Sequence, residues 1–200
     1  MFQWFKKTGS QLPDFWESYL THFHSKKTSN RFVVFDCETT GLHPKKDVVL
    51  SIGAVVVEDN AILVQNSFEV FVAQTFYDEK STPIHGILKD GTTEKVTEKE
   101  ALIQFLGLIE NHTLVGHHVR FDIKMINNML DRNDLGKLKN ESMDTDAMYQ
   151  KLNNWQEDQH SSLDELCQKF KIKMHDRHTA LGDAYLTALL FLKLKDRLNI

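Results

Sequence analysis

The chain has 200 residues, 41% of them hydrophobic, enough for one core of α/β-domain size with a small appendage. A net charge of −4 argues against a protein held to nucleic acid by bulk electrostatics, yet it is compatible with a local pocket bridged by metal ions. No run approaches membrane-spanning length, the opening Met1-Phe-Gln-Trp-Phe-Lys-Lys7 lacks the basic-then-apolar order of an export signal, and two cysteines cannot form a disulfide framework. A cytoplasmic protein without membrane contact, with Cys37 and Cys167 buried as reduced thiols, is therefore expected.

In chain order, Phe15, Trp16, Tyr19, Leu20 and Phe23 form the stripe of an amphipathic helix, opened by Pro13 and followed by the polar stretch Ser25 to Asn30. Residues 1–30 thus read as a helical extension and linker, and 31–200 as the main domain. Arg31 to Leu42 begins as an apolar strand. Val48–Val57 and Ala61–Val72, flanking Glu58-Asp59-Asn60, predict a hairpin, so three antiparallel strands open the domain. Helical periodicity then runs from Glu98 to about Ile109, a short strand covers Thr113–Gly116, and a helix follows through Leu130. A helix over Thr145–Lys151, a capped one opened by Ser161-Ser-Leu-Asp-Glu165, and a long one from about Thr179 to Leu198 complete an α/β mixed sheet flanked by helices.

Three clusters carry chemistry. Asp36 and Glu38 alternate with Cys37 on the first strand, so both carboxylates point to one face. Like charges at the end of a core strand repel and resist desolvation, and a hard divalent cation such as Mg²⁺ or Mn²⁺ is the expected guest of an oxygen-only ligand set. Asp122, in Gly116-His-His-Val-Arg-Phe-Asp122, falls in the first turns of a helix starting at the sheet edge, where it can face those carboxylates. His178 and Asp183 lie five residues apart, about 140° around a regular helix, so they do not share a helical face. His178 is expected on the loop or first turn, free to move, and Asp183 within the helix, an arrangement suited to holding an ion beside a base that deprotonates water.

Phe35-Asp-Cys-Glu-Thr-Thr-Gly-Leu42, Gly116-His-His-Val-Arg-Phe-Asp122 and Arg177-His-Thr-Ala-Leu-Gly-Asp-Ala184 together resemble, in order, the three motifs of the DnaQ-like DEDDh 3′→5′ exonucleases, over roughly residues 31–196. Within that family the nearest in appearance are the epsilon proofreading subunits of bacterial DNA polymerase III, a likeness extended by Pro83-Ile-His-Gly-Ile87. The resemblance implies an RNase H-like fold, two Mg²⁺ or Mn²⁺ ions, and release of nucleoside 5′-monophosphates from a 3′ end, DNA rather than RNA. It places Asp36, Glu38 and Asp183 on the first ion, Asp36 and Asp122 on the second, and His178 as general base. Thr39, Thr40, Gly41, Leu42 and His85 would meet the terminal nucleotide. Two departures stand out: His118 where the family commonly has Asn, and Ser51 where it commonly has Glu.

An RNA-trimming exoribonuclease of the RNase T or oligoribonuclease kind would share every catalytic residue and is the alternative; a non-catalytic 3′-end-binding module is disfavoured because all five catalytic residues are present. His117, His118 and His175 lack a family role and read as surface or hydrogen-bonded positions, and Asp144 and Asp146 as caps of the Thr145 helix. Plain packing is the competing reading for Leu42. A DNA polymerase or sliding clamp is a candidate partner. Gln11-Leu-Pro-Asp-Phe15 faintly resembles a clamp-binding peptide, but Asp14 stands where an aliphatic residue is usual, and a helix start is the plainer reading. The chain end at Ile200, without a tail after the last helix, is read as favouring a free-standing enzyme.

Overall fold

The computed structural model describes residues 12–24, 30–75, 86–88, 91–156 and 158–200. Helix α1 covers Asp14–Thr21, one residue later than expected, with Pro13 at the N-cap; a 3₁₀ turn, His22–His24, follows. Strands β1 (Arg31–Thr39), β2 (Val49–Glu58) and β3 (Ala61–Phe71) form the antiparallel set. The β2–β3 turn uses Asp59 and Asn60 at φ of 48° and 63°, the left-handed pair that a two-residue hairpin needs to match strand twist. Helix α2 (Glu98–Ile109), strand β4 (Thr113–Gly116), helix α3 (Val119–Arg132), strand β5 (Ser142–Asp144) and helices α4 (Thr145–Asn153), α5 (Leu163–Lys169) and α6 (Ala180–Leu198) complete the described elements.

The sheet order is β3-β2-β1-β4-β5, antiparallel across β1–β2 and β2–β3 and parallel across β1–β4 and β4–β5. Strand β5 had no sequence signal: Ser142-Met-Asp144 is too short and polar to read as a strand, and pairing with β4 makes it one. Alternation on β1 divides the core in two. Val33, Phe35 and Cys37 face α1, α2 and α3, whereas Val34 faces α4, α5 and α6. Phe35 is fully buried, its ring 5.3 Å from that of Phe105 on α2; truncation to alanine would cost about 3–5 kcal/mol. The N-terminal helix shares this first core through buried Trp16 and Tyr19, and the Tyr19 hydroxyl donates to Asn140 Oδ1 at 2.8 Å.

Helix ends are specified locally. Thr97 with Glu100 and Ser162 with Glu165 form reciprocal capping boxes on α2 and α5. Thr179 caps α6 by accepting the Gly182 amide at 3.1 Å, which fixes where the helix carrying Asp183 begins. Among the described residues no helix is long and apolar enough to cross a membrane.

Candidate active site

Asp36 and Glu38, both half-buried, continue the row begun by Val34. Their partners across the ladder are Gly53 and Ser51 on β2. The register slips just after Glu38, where Thr39 pairs with Val49, so one extra β2 residue bends the strand end beside the carboxylates. Gly53 decides how near α6 can come. A Cβ there would lie 2.1 Å from the Leu181 amide nitrogen and 2.2 Å from the Ala180 carbonyl carbon, so only glycine lets the first turn of α6 rest directly on the sheet. Asp183, three residues beyond Ala180, is thereby brought to β1: oxygens of Asp36, Glu38 and Asp183 lie within 4.8 Å of one another.

Asp122 arrives from the other side. Strand β4 follows β1 only as far as Val34–Val115, leaving the later backbone edge of β1 unpaired by a strand. The chain turns at Gly116, where a Cβ would press to 2.9 Å on the Val119 side chain, and enters α3. Buried Asp122 in the first turn then accepts the Cys37 amide at 3.2 Å. Its carboxylate is thus tied to the peptide between Asp36 and Glu38.

Burial of Asp36, Glu38 and Asp122 raises their pKa values, and neighbouring carboxylates add to it. Burial pushes Asp36 well above the ordinary carboxylate range, reinforced by Asp122, Asp183 and Glu38. Burial and then Asp183 push Glu38 up to about 7, with Arg177 opposing. Asp122 is pushed up to about 8, chiefly by burial, against the Cys37 hydrogen bond that lowers it. A site that resists ionisation when empty is one that a divalent cation relieves, so the all-oxygen donor set fits a hard metal ion.

Arg177 is the site residue that sequence reasoning did not single out. Its Nη1 donates to Asp183 Oδ2, while its Nε donates to Asp164 Oδ1 on α5 at 2.6 Å. The motif contained this arginine, but its second partner comes only from tertiary packing. His178 stands on the loop just before Thr179, exposed and at φ 63°, with its amide 3.4 Å from Asp183 Oδ1. It therefore lies outside the helix that fixes Asp183, as the spacing required.

Of the nucleotide-contact candidates, Thr39 at the end of β1 and Thr40 just beyond it are buried. Thr39 Oγ1 donates to Gly41 O at 2.8 Å; Thr40 Oγ1 donates to Asp47 Oδ1 and accepts the Val48 amide, both at 3.1 Å. Gly41 permits the close approach of Asp47, whose Oδ2 would sit 2.6 Å from a Cβ. Leu42 is 80% exposed, so plain packing does not explain it. His85 lies outside the described residues. His117 is hydrogen-bonded, Nδ1 with Thr145 Oγ1 and Nε2 with Ser161 O, both at 2.9 Å; His118 and His175 are exposed. Asp144 caps α4, whereas Asp146 does not: its Oδ1 accepts the Ser161 amide at 2.9 Å. A cavity of about 970 Å³ runs from Ser51 to Thr179 along β3 and α6, but is lined by none of the five catalytic candidates; the buried Ser51 hydroxyl has no hydrogen-bond partner among the described residues.

Comparison with known proteins bears on this geometry. The exonuclease family model named for RNase T matches residues 33–191. The chain is 31% identical over 171 residues to the PolC-type DNA polymerase III of Ureaplasma parvum, aligning 84% of itself with only 12% of that protein. It is 31% identical over 176 residues to the DNA polymerase III epsilon subunit of Buchnera aphidicola, covering 82% of this chain and 71% of the relative. Among solved structures, a zinc-bound complex of E. coli exonuclease I with single-stranded DNA superposes with a TM-score of 0.72 at 20% identity, over 85% of this chain and 41% of the other. That likeness identifies the fold as RNase H-like.

Proposed function

We propose that the chain, which belongs to the exonuclease family, is a DnaQ-like phosphodiester-cleaving nuclease that removes nucleoside 5′-monophosphates from the 3′ end of DNA in proofreading or repair. The observation that carries the proposal is the convergence of Asp36, Glu38 and Asp183 within 4.8 Å, with Asp122 bonded to the peptide between the first two.

In this reading Asp36, Glu38 and Asp183 hold one divalent ion, Mg²⁺ or Mn²⁺, and Asp36 with Asp122 a second. When bound there, such ions neutralise charge on the scissile phosphate and acidify the attacking water. His178 accepts the water's proton as the oxygen attacks phosphorus and the bond to the 3′ oxygen of the preceding nucleotide breaks; that oxygen takes a proton from solvent water and becomes the new 3′ hydroxyl. The exposed loop position of His178 lets its ring meet water at the edge of the site, while α6 keeps Asp183 still. Arg177 holds Asp183 in place when the ions are absent. Leu42, exposed at the loop after β1, offers an apolar surface to the terminal base, and Gly41 lets backbone approach it.

We infer residues 31–200 to be the catalytic domain and 1–30 a helical extension, since the family match begins at residue 33. A cytoplasmic setting suits the two free, buried cysteines. A polymerase partner is suggested by the relatives named above, of which the PolC-type proteins extend far beyond the matched segment. The testing experiment compares 5′-labelled single-stranded DNA, a mismatched primer–template and RNA of the same sequence, with Mg²⁺ and with Mn²⁺. Faster loss of 3′ nucleotides from DNA is expected; faster loss from RNA would assign the chain to RNA trimming instead.

A further inference from the structure

His118, Asp146 and His160, from three separate parts of the chain, bring one ligand atom each within 4.8 Å of the others, and share no residue with the Asp36–Glu38–Asp183 group. His118 is the N-cap of α3, Asp146 lies in the first turn of α4, and His160 is on the connection between α4 and α5. We propose that these three residues form a second metal site, of nitrogen-rich character, that takes a borderline transition-metal ion such as Zn²⁺.

The carboxylate is the fixed member. Asp146 is 2% exposed; its Oδ1 accepts the Ser161 amide at 2.9 Å, and its Oδ2 accepts from Gln150 Nε2 at 3.2 Å. Such outer hydrogen bonds orient a metal-binding carboxylate. Both imidazoles present Nδ1 to that same Oδ2, His160 at 2.6 Å and His118 at 3.8 Å. Asp144 holds the backbone beneath two of the ligands, its Oδ1 accepting the His118 amide at 3.1 Å and the Asp146 amide at 3.0 Å. With bonds of about 2.0–2.2 Å, tetrahedral ligand atoms sit about 3.3 Å apart. His160 Nδ1 must then retreat by about 0.7 Å and His118 Nδ1 approach by about 0.5 Å, small rotations for exposed rings. Two imidazoles and one carboxylate leave a fourth position for water, and nitrogen ligands favour Zn²⁺ over Mg²⁺. The ion would clamp the N-terminus of α3, four residues before Asp122, to α4 and the loop before α5. The site does not depend on the catalytic assignment, because it shares no ligand with it.

The test uses the full chain stripped with chelator, then titrated with Zn²⁺ against a chromogenic chelator in excess Mg²⁺, which occupies oxygen-only sites. Wild type and Asp36→Asn are each expected to hold one Zn²⁺ per chain. His118→Asn and His160→Asn should each weaken binding about 100-fold or more, as loss of a ligand exceeds the 10–100-fold cost of losing its outer-shell support. Cobalt in place of zinc should give visible absorption bands in wild type that both histidine variants lose. Both side chains are largely exposed, 49% and 61%, so their replacement leaves the core intact. Zinc bound equally by the double histidine variant, zinc displaced completely by Mg²⁺, or zinc lost in Asp36→Asn would overturn the proposal.

Discussion

Gly53 lies directly opposite Asp36 in the β1–β2 ladder, and the space where its side chain would be is filled by the backbone of α6. One residue thus sets the distance between the strand that carries Asp36 and Glu38 and the helix that carries Asp183. Gly53→Ala is expected to push α6 outward and abolish metal-dependent cleavage, because even a methyl group meets backbone that cannot rotate away. Near-normal activity in Gly53→Ala would show that α6 need not rest on the sheet.

Arg177 gives Asp183 a counter-charge, whereas Asp36 has none in hydrogen-bonding contact among the described residues. The two aspartates should therefore respond differently when neutralised. Asp36→Asn is expected to abolish turnover yet raise the melting temperature of the metal-free protein, since it relieves repulsion in a desolvated place. Asp183→Asn should abolish turnover without that gain, because it removes one of the two carboxylates that pair with Arg177. Calorimetry of both variants in chelator decides; destabilisation by Asp36→Asn would mark Asp36 as a structural residue.

Replacing the arginine itself probes the same contact. Arg177→Met removes the link from Asp183 to Asp164 on α5 and should lower metal-free stability by about 1–3 kcal/mol. Saturating Mn²⁺ should recover most of that loss, since the cation then balances Asp183. Denaturant melts with and without Mn²⁺ measure the difference, and an equal loss in both would show that the arginine supports only the packing of α5.

Glu38 at about 7 and Asp122 at about 8 hold protons in the folded chain that they would release when unfolded near neutrality. Between the ordinary carboxylate range and those raised values the native state binds more protons than the unfolded one, so stability falls as pH rises. The metal-free melting temperature is accordingly expected to drop from about pH 5 to about pH 8. Metal affinity should rise over the same interval, because cations and protons compete for the same oxygens. A metal-free melting temperature that climbs through this interval would mean the carboxylates are already ionised.

The periodicities of β1, α2 and β4 were enough to place them, because each pairs a clear apolar rhythm with a cap or a glycine at its end. The placement of the acidic cluster was equally legible, since Asp36 and Glu38 alternate on a strand and His178 cannot share a helical face with Asp183. What escaped was whatever depends on distant partners. Ser142-Met-Asp144 becomes a strand only beside β4, and Asp164 meets Arg177 only once α5 packs against α6. Gly53 did leave a trace, a glycine within the valine- and isoleucine-rich run of β2, which signals a close backbone approach without naming the element that approaches.

On the proposed function, the Asp36, Glu38 and Asp183 carboxylates run metal-dependent hydrolysis from a 3′ end. The most direct measurement follows 5′-labelled single-stranded DNA on a sequencing gel with wild type, Asp36→Asn and His178→Ala, in chelator and after adding back Mg²⁺, Mn²⁺ or Ca²⁺. Wild type should give a ladder that shortens one nucleotide at a time with Mg²⁺ or Mn²⁺ and stays intact in chelator or Ca²⁺, whose longer bonds misplace the water. Asp36→Asn should leave the DNA whole, and His178→Ala should cut about 10²–10⁴-fold more slowly. Immediate release of the 5′ label as a mononucleotide, cleavage in chelator, or an Asp36→Asn protein as fast as wild type would contradict the account.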